Sequence, residues 1–464
     1  MSERPGAVVL GGSLAGLLAA RVLAGRAGRV TVVERDTLPD GPRPRRGVPQ
    51  ARHVHQLWSG GARALEALLP GLTARLLAGG AHRLPVTTDM VALSPHGWFR
   101  RWDESQFMLL CTRDLLDATV RELVLADRRI EVAGRTEVLG LTGTRTAVTG
   151  VRLRPLDGSG AYTLAAPLVV DATGLASRAP HWLTALGLPA PAVREVDAGF
   201  AYATRLHRAP EGAQERFPVV NVQPVPSTGR PGRGGVLMPV ENGHWLVTLY
   251  GTRGGEPTTD PGDFMRYARE ELRHPVIAEL LEHAEPLTDI AYSRSTVNRR
   301  HFYERLPVWP ENFVVLGDAV AAFNPVYGQG MSVAARGATA LGGAVREHGW
   351  GRPGLARRAQ RAIARPVAAA WALAIGQDVF YPGATEAGPG RRDRLLAAYV
   401  GRLMYTATGN GRVARRVTDV MSLERRAESL LAPDILLAAA MGPLRPPLGM
   451  PPLTTEERKA AGLL

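Results

Sequence analysis

Two short stretches of the chain carry residue types and spacings suited to holding a nucleotide. The first is Gly11-Gly12-Ser13-Leu14-Ala15-Gly16, which fits G-x-G-x-x-G except that Ser13 stands at the second glycine. Gly11 permits a tight turn, Gly16 lets a helix approach a strand, and the small Ser13 leaves room for a pyrophosphate. Backbone N–H groups opening the next helix then face the phosphates. Glu34 follows where an acidic side chain accepts hydrogen bonds from the adenosine ribose. An acid there disfavours a 2′-phosphate, so the expected dinucleotide is FAD or NAD rather than NADP.

The second stretch lies far downstream. Phe313-Val314-Val315-Leu316-Gly317-Asp318 reads as a buried strand running into a Gly-Asp turn. Asn324-Pro325-Val326-Tyr327-Gly328-Gln329-Gly330-Met331 then leads into a helix from about Ser332. The strand end delivers the Asp318 carboxylate to a crevice, where it accepts from a polyol hydroxyl. Pro325 and Gly328 let the backbone press against a flat ligand, and the helix N-terminus adds partial positive charge beside it. A flavin needs that arrangement, because reduction puts negative charge on its N1 and C2 carbonyl region.

The elements needed to position these groups are legible. Ala7 to Leu10, Leu14 to Leu23 and Val30 to Val33 read as strand, helix and strand. Pro39 to His55 is rich in Pro, Gly and Arg and reads as an ordered connection. Helices are expected from near Gly60 and from Arg113 to Ala126. The run Ala166 to Val170 reads as a strand of the first unit revisited late in the chain. Between residues 199 and 252 alternation returns at Phe200, Tyr202 and Thr204, and Glu241-Asn242-Gly243 joins two apolar runs as a hairpin, so an antiparallel sheet is expected. After residue 330 the pattern is helical, broken at Pro353, Pro382 to Gly390 and Pro443 to Pro452.

Composition bounds the function. With 464 residues of which 45% are hydrophobic, the chain can bury a sizeable core, and a disordered or fibrous protein is excluded. The net charge of +13 comes almost wholly from arginine, Lys459 being the single lysine. It is spread along the chain rather than gathered in a basic face, so no nucleic-acid partner is expected. The one cysteine, Cys111, makes no internal disulfide and excludes cysteine-rich metal sites, and no metal is expected. The apolar stretch Ala7 to Ala24 is broken by three glycines and is not a signal peptide of ordinary form, and no window is long enough for a membrane span. A cytoplasmic protein without stable membrane insertion is expected.

Gly11 to Gly16, Glu34, and Gly317-Asp318 followed by Pro325 and Gly328 resemble the group A FAD-dependent monooxygenases of the para-hydroxybenzoate hydroxylase type. Arg45 to His55, Trp58-Ser59-Gly60-Gly61, Gly251 to Gly255, Ser293 to Arg300 and Asp318 to Gly330 look more narrowly like the bacterial polyketide epoxidases of the monensin and lasalocid kind. The likeness covers most of the chain to about residue 345. It implies an α/β fold: a Rossmann-like FAD-binding domain of the GR2 type, an inserted antiparallel β-sheet substrate domain, and a C-terminal helical region. The boundaries expected are 1–80 with 105–190 and 290–345 for the FAD-binding domain, 81–104 with 191–289 for the substrate domain, and 346–464 for the helical region. The resemblance further implies that Glu34, with Arg35 beside it, meets the ribose of FAD, and that Asp318 meets the ribityl chain. Arg113 and one of Arg45 or Arg46 meet the pyrophosphate or ribose, and Leu14 and Ala15 belong to the phosphate turn. Val48 lies against the flavin ring, the Gly330 and Met331 amides face its C2 carbonyl, and Val138 contacts adenine through its backbone.

One motif departs from the family. Where the broad hydroxylases have Asp-Gly with a serine beyond, this chain reads Asp171-Ala172-Thr173-Gly174-Leu175-Ala176-Ser177, with Thr173 at the aspartate position. The electron source is therefore expected to be either NAD(P)H or a partner flavin reductase. A halogenase would need an active-site lysine, and Lys459 sits in the tail. The activity implied is addition of dioxygen to reduced FAD and transfer of one oxygen atom to alkenes of a large apolar polyketide-like secondary metabolite. Epoxidation needs no general base, and no catalytic side chain is singled out. The alternative is a cyclase of the [4+2] type in which FAD is structural. His53 and His55 read as loop histidines, and Trp98, Phe99, Trp102 and Phe107 as packing.

Overall fold

The computed structural model describes residues 6–45, 47–294 and 296–464. A five-stranded parallel sheet, in the order Phe313–Val315, Val169–Asp171, Ala7–Leu10, Val30–Val33, Ile130–Ala133, forms the base of the nucleotide-binding half. The strands Phe313–Val315 and Ala7–Leu10 are continuous apolar runs because both faces are covered, whereas the edge strand Ile130–Ala133 leaves Glu131 exposed; Val9, Leu10, Val170, Val314 and Val315 are fully enclosed. The helix Leu14–Ala27 returns from the first strand and packs against the helix Gly330–His348. The late strand Val169–Asp171 pairs beside the first, Leu10 opposite Asp171. The Rossmann-like expectation thus holds in its sheet order.

The second half is an eight-stranded, mainly antiparallel sheet. Ala201–Arg208, His244–Gly251, Arg233–Val240 and Val219–Val222 are successive neighbours, and Met90–Ser94 joins the last of them in parallel. The expected hairpin is present: Asn242 (φ 65°) and Gly243 (φ 69°) turn the chain through left-handed conformations. Glu241 in that turn accepts the Thr112 N–H at 2.9 Å, which ties the hairpin to the start of the helix Arg113–Leu125.

Trp98 is buried in the core under this sheet, Phe99 and Trp102 pack against the C-terminal helices, and Phe107 lies under the guanidinium groups of Arg63 and Arg83. All four aromatics pack, as the sequence suggested. The C-terminal region contains the helices Leu355–Asp378, Arg391–Gly409, Gly411–Met421, Pro433–Met441 and Thr455–Ala460. Its end returns to the antiparallel sheet, where Arg101 grips Glu457 through two hydrogen bonds of 2.7 and 2.9 Å. Among the described residues no helix is long and apolar enough to cross a membrane.

Candidate functional site

Glu34 ends the second parallel strand and folds back over the glycine turn. Its Oε2 accepts the Gly12 N–H at 2.7 Å and pairs with Arg45 Nη2 at 2.9 Å, while Oε1 accepts the Asp36 N–H at 2.9 Å. Arg45 also donates to the Gly12 carbonyl at 3.0 Å and to Ser13 Oγ at 3.2 Å, and its buried Nε has no partner among the described residues. The Ser13 hydroxyl accepts from Arg45 and does not cap the helix Leu14–Ala27, whose first N–H groups stay available to an anion. Gly11 turns at φ 98°, and Gly16 packs so closely that a Cβ there would lie 1.8 Å from the Gly11 carbonyl oxygen.

The aspartate turn meets this glycine turn directly. Gly317 adopts φ 68°, and a Cβ on it would lie 2.7 Å from the Ala15 Cβ. The next residue, Asp318, is half-buried beside the start of the helix Gly330–His348; a Cβ on Gly330 would be 3.9 Å from Asp318 Oδ1. Burial pushes the Asp318 carboxyl above its ordinary range, and the Arg113 guanidinium pulls it back. Arg113 is itself buried and donates through Nε to Asp117 Oδ1 at 2.7 Å. Two carboxylates, two buried arginines and an uncapped helix thus converge at the carboxyl ends of parallel strands. That donor set and glycine-lined cradle fit an FAD.

The third strand end closes the same corner. Asp171, fully buried, accepts from the Thr173 N–H at 3.0 Å, Thr173 Oγ1 at 2.6 Å and Ser177 Oγ at 2.6 Å. Thr173 therefore acts as a donor to Asp171 within its own turn, beside Gly11.

The remaining expected residues fall as follows. Leu14, Val48 and Met331 are buried, Val48 donating its N–H to the Arg45 carbonyl at 3.2 Å. Val138 lies on the strand Thr136–Gly143, which starts where the Thr136 N–H meets the Glu34 carbonyl at 2.9 Å. Arg35 points to solvent near Asp36. Arg46 lies outside the described residues.

Pro325 and Val326 lead to groups that sequence reasoning missed. With His53, Val54, Gln56, Tyr202, Asn221, Val236, Thr248 and Tyr250 they line a cavity of about 30 Å³ between the 324–328 turn and the antiparallel sheet. Period-two alternation puts Tyr202 and Thr204 on one face, directly opposite Tyr250 and Thr248. That alternation was visible in sequence, but the register between these distant strands was not. His53 Nδ1 and Thr204 Oγ1 share a hydrogen bond of 2.7 Å, and Thr204 bonds Thr248 at 2.7 Å. Burial, then the Arg52 charge, lowers His53 to about 4, and burial, then Arg113, lowers His55 to about 3. Both imidazoles are neutral at pH 7. His55 donates its Nδ1 proton to the His53 carbonyl. His53, which lines the cavity and bonds Thr204, is a cavity residue rather than an ordinary loop histidine.

The fold defined here is that of the FAD-dependent monooxygenases and halogenases. Among solved structures, the flavin-dependent brominase Bmp2 superposes with a TM-score of 0.63 at 14% identity, covering 90% of this chain and 93% of that one. PqsL of Pseudomonas aeruginosa, a probable FAD-dependent monooxygenase, superposes with a TM-score of 0.58 at 18% identity, covering 81% and 97%. No family model matches the chain. The chain belongs to the family of Protein Rv3254 of Mycobacterium tuberculosis, to which it is 34% identical over 396 residues, 82% of each protein. A kynurenine 3-monooxygenase of Salinispora tropica is 29% identical over 351 residues, 72% of this chain and 70% of that one.

Proposed function

We propose that this chain binds FAD across the two joined turns and acts as a monooxygenase on an organic substrate held against the antiparallel sheet. The observation that carries this is the contact of Gly317 with Ala15, which brings Glu34 and Asp318 to one crevice beside an uncapped helix. Bound FAD supplies the redox chemistry and the activation of dioxygen. The protein's own residues do the holding. Glu34 accepts ribose hydroxyls with lone pairs left after Gly12, Asp36 and Arg45, and Asp318 accepts from the ribityl chain. The N-terminus of the helix Leu14–Ala27, with Arg45 and Arg113, offsets the pyrophosphate charge. The opening amides of the helix Gly330–His348 face the ring edge that gains negative charge on reduction.

For substrate class, the likeness to polyketide epoxidases supports an alkene of a large apolar metabolite; the small cavity marks only the part of that site next to the sheet, where Val54, Val236, Pro325 and Val326 are apolar. Hydroxylation of an enol or phenol is a second reading. It is favoured by Asn221, whose buried Oδ1 has no partner among the described residues and suits a substrate hydroxyl proton. Electrons come from NAD(P)H or from a partner flavin reductase, the second being favoured by Thr173 at the family's aspartate position.

The test is product mass. Protein reduced without oxygen and then mixed with oxygen and substrate is expected to yield a product heavier by one oxygen atom. A product of unchanged mass, formed without reductant or oxygen, overturns the monooxygenase reading and leaves the non-redox cyclisation.

A further inference from the structure

Asp378 closes the long helix Leu355–Asp378 and is 1% exposed. The partners described for it are all neutral donors: Asn298 Nδ2 at 2.6 Å and Asn324 Nδ2 at 3.0 Å on one oxygen, and the Tyr327 hydroxyl on the other. These donors stabilise a carboxylate but do not offset its burial. It sits at the negative end of a helix, out of water and, among the described residues, without a paired cation. Burial outweighs the pull of the three donors and, with a smaller contribution from Asp197, leaves its carboxyl raised to about 6.

What it holds is the turn that leads to the proposed flavin ring. Asn324 caps the short helical turn Pro325–Tyr327 and is fully enclosed. Its N–H donates to Asn298 Oδ1 at 2.8 Å, its Oδ1 accepts from the Tyr202 hydroxyl, and its Nδ2 reaches Asp378. Tyr327, at the other end of the turn, reaches Asp378 as well. One carboxyl therefore grips both ends of the segment presenting Pro325 and Val326 to the cavity, and Gly328 follows at φ 63°.

We infer that Asp378, contributed by the C-terminal helical region, is a positioning residue for the flavin, fixing the Asn324–Gly328 turn in its binding shape through Asn298, Asn324 and Tyr327. The inference rests on the FAD reading above. A tyrosine hydroxyl donates or accepts. An asparagine at 378 can therefore accept from the two amides and donate to Tyr327, whereas alanine can do neither.

The experiment titrates apo-protein with FAD, following flavin fluorescence and the shape of the visible flavin bands, with apo-protein melting measured alongside. Asp378→Ala is expected to weaken FAD binding at least about tenfold and to blur the bands, Tyr327→Phe to weaken it by about threefold, and Asp378→Asn to stay within about threefold of wild type. A merely structural role would lower the melting temperature of Asp378→Ala and leave FAD affinity and band shape unchanged, which overturns the inference. If Asp378→Ala does not fold, Tyr327→Phe decides, and wild-type affinity there overturns it too. Wild-type protein that binds no FAD overturns the underlying reading together with this assignment, and is distinguished by failing before any variant is compared.

Discussion

Glu34 both closes the glycine turn and neutralises a buried arginine. The Arg45 and Glu34 side chains are only 5% and 10% exposed, and removing one partner of such a pair leaves an uncompensated charge. Glu34→Ala is expected to cost about 3 kcal/mol of apo-protein stability and at least about tenfold in FAD affinity. Urea unfolding and FAD titration check the two effects separately, and an unchanged unfolding midpoint would contradict the pairing. His53 and His55 set a pH dependence. Their folded pKa values, about 4 and about 3, lie below the ordinary 6.5, so the native protein binds fewer protons than the unfolded chain in that interval. Their contribution to stability is complete above pH 6.5 and is lost as pH falls toward those values. Asp378, raised from 3.8 to about 6, works in the opposite sense, its contribution fading as pH rises through that window. Removing both imidazoles removes their share of the loss, so the His53→Gln, His55→Gln double variant is expected to show a flatter acid limb in melting temperature than wild type, and an equally steep limb would count against it.

The elements that hold the site are those with the strongest local signals. The strand-turn-helix-strand run from Ala7 to Val33, the Gly-Asp turn and the Glu241–Gly243 hairpin stand where the residues indicated, because each is decided by neighbours in sequence. Tyr202, Asn221, Thr248, Tyr250 and Asp378 were not legible as a group. Their meeting depends on strand register and on a helix that returns after residue 355, and both are set by tertiary packing. His53 lies on a connection without periodicity, so no pattern marked its inward face. The contact of the two turns gives an element-scale test. Gly317→Ala forces a side chain into a left-handed conformation, costing about 1–2 kcal/mol, and drives its Cβ against Ala15. It is expected to lower both the melting temperature and FAD affinity, whereas a variant matching wild type in both would mean that the turns do not touch.

At the scale of the whole molecule, the C-terminal region is part of the site's frame. Ile363, Val367 and Ala370 of the helix Leu355–Asp378 lie in the same core as the parallel sheet. The last helix is pinned by the two hydrogen bonds between Arg101 and Glu457, whose side chains are 18% and 19% exposed. Arg101→Ala is expected to free that end for faster limited proteolysis after residue 445, at about 1 kcal/mol of stability, with FAD affinity unchanged. Uniform protection of the tail would contradict that role.

The central claim is that one FAD is clasped where the glycine turn meets the aspartate turn. Calorimetric titration of apo-protein with FAD tests it most directly. One mole bound per mole of chain in the wild type, with affinity reduced at least about tenfold in Asp318→Ala, is the expected result. No heat of binding, or an affinity indifferent to Asp318, would contradict it.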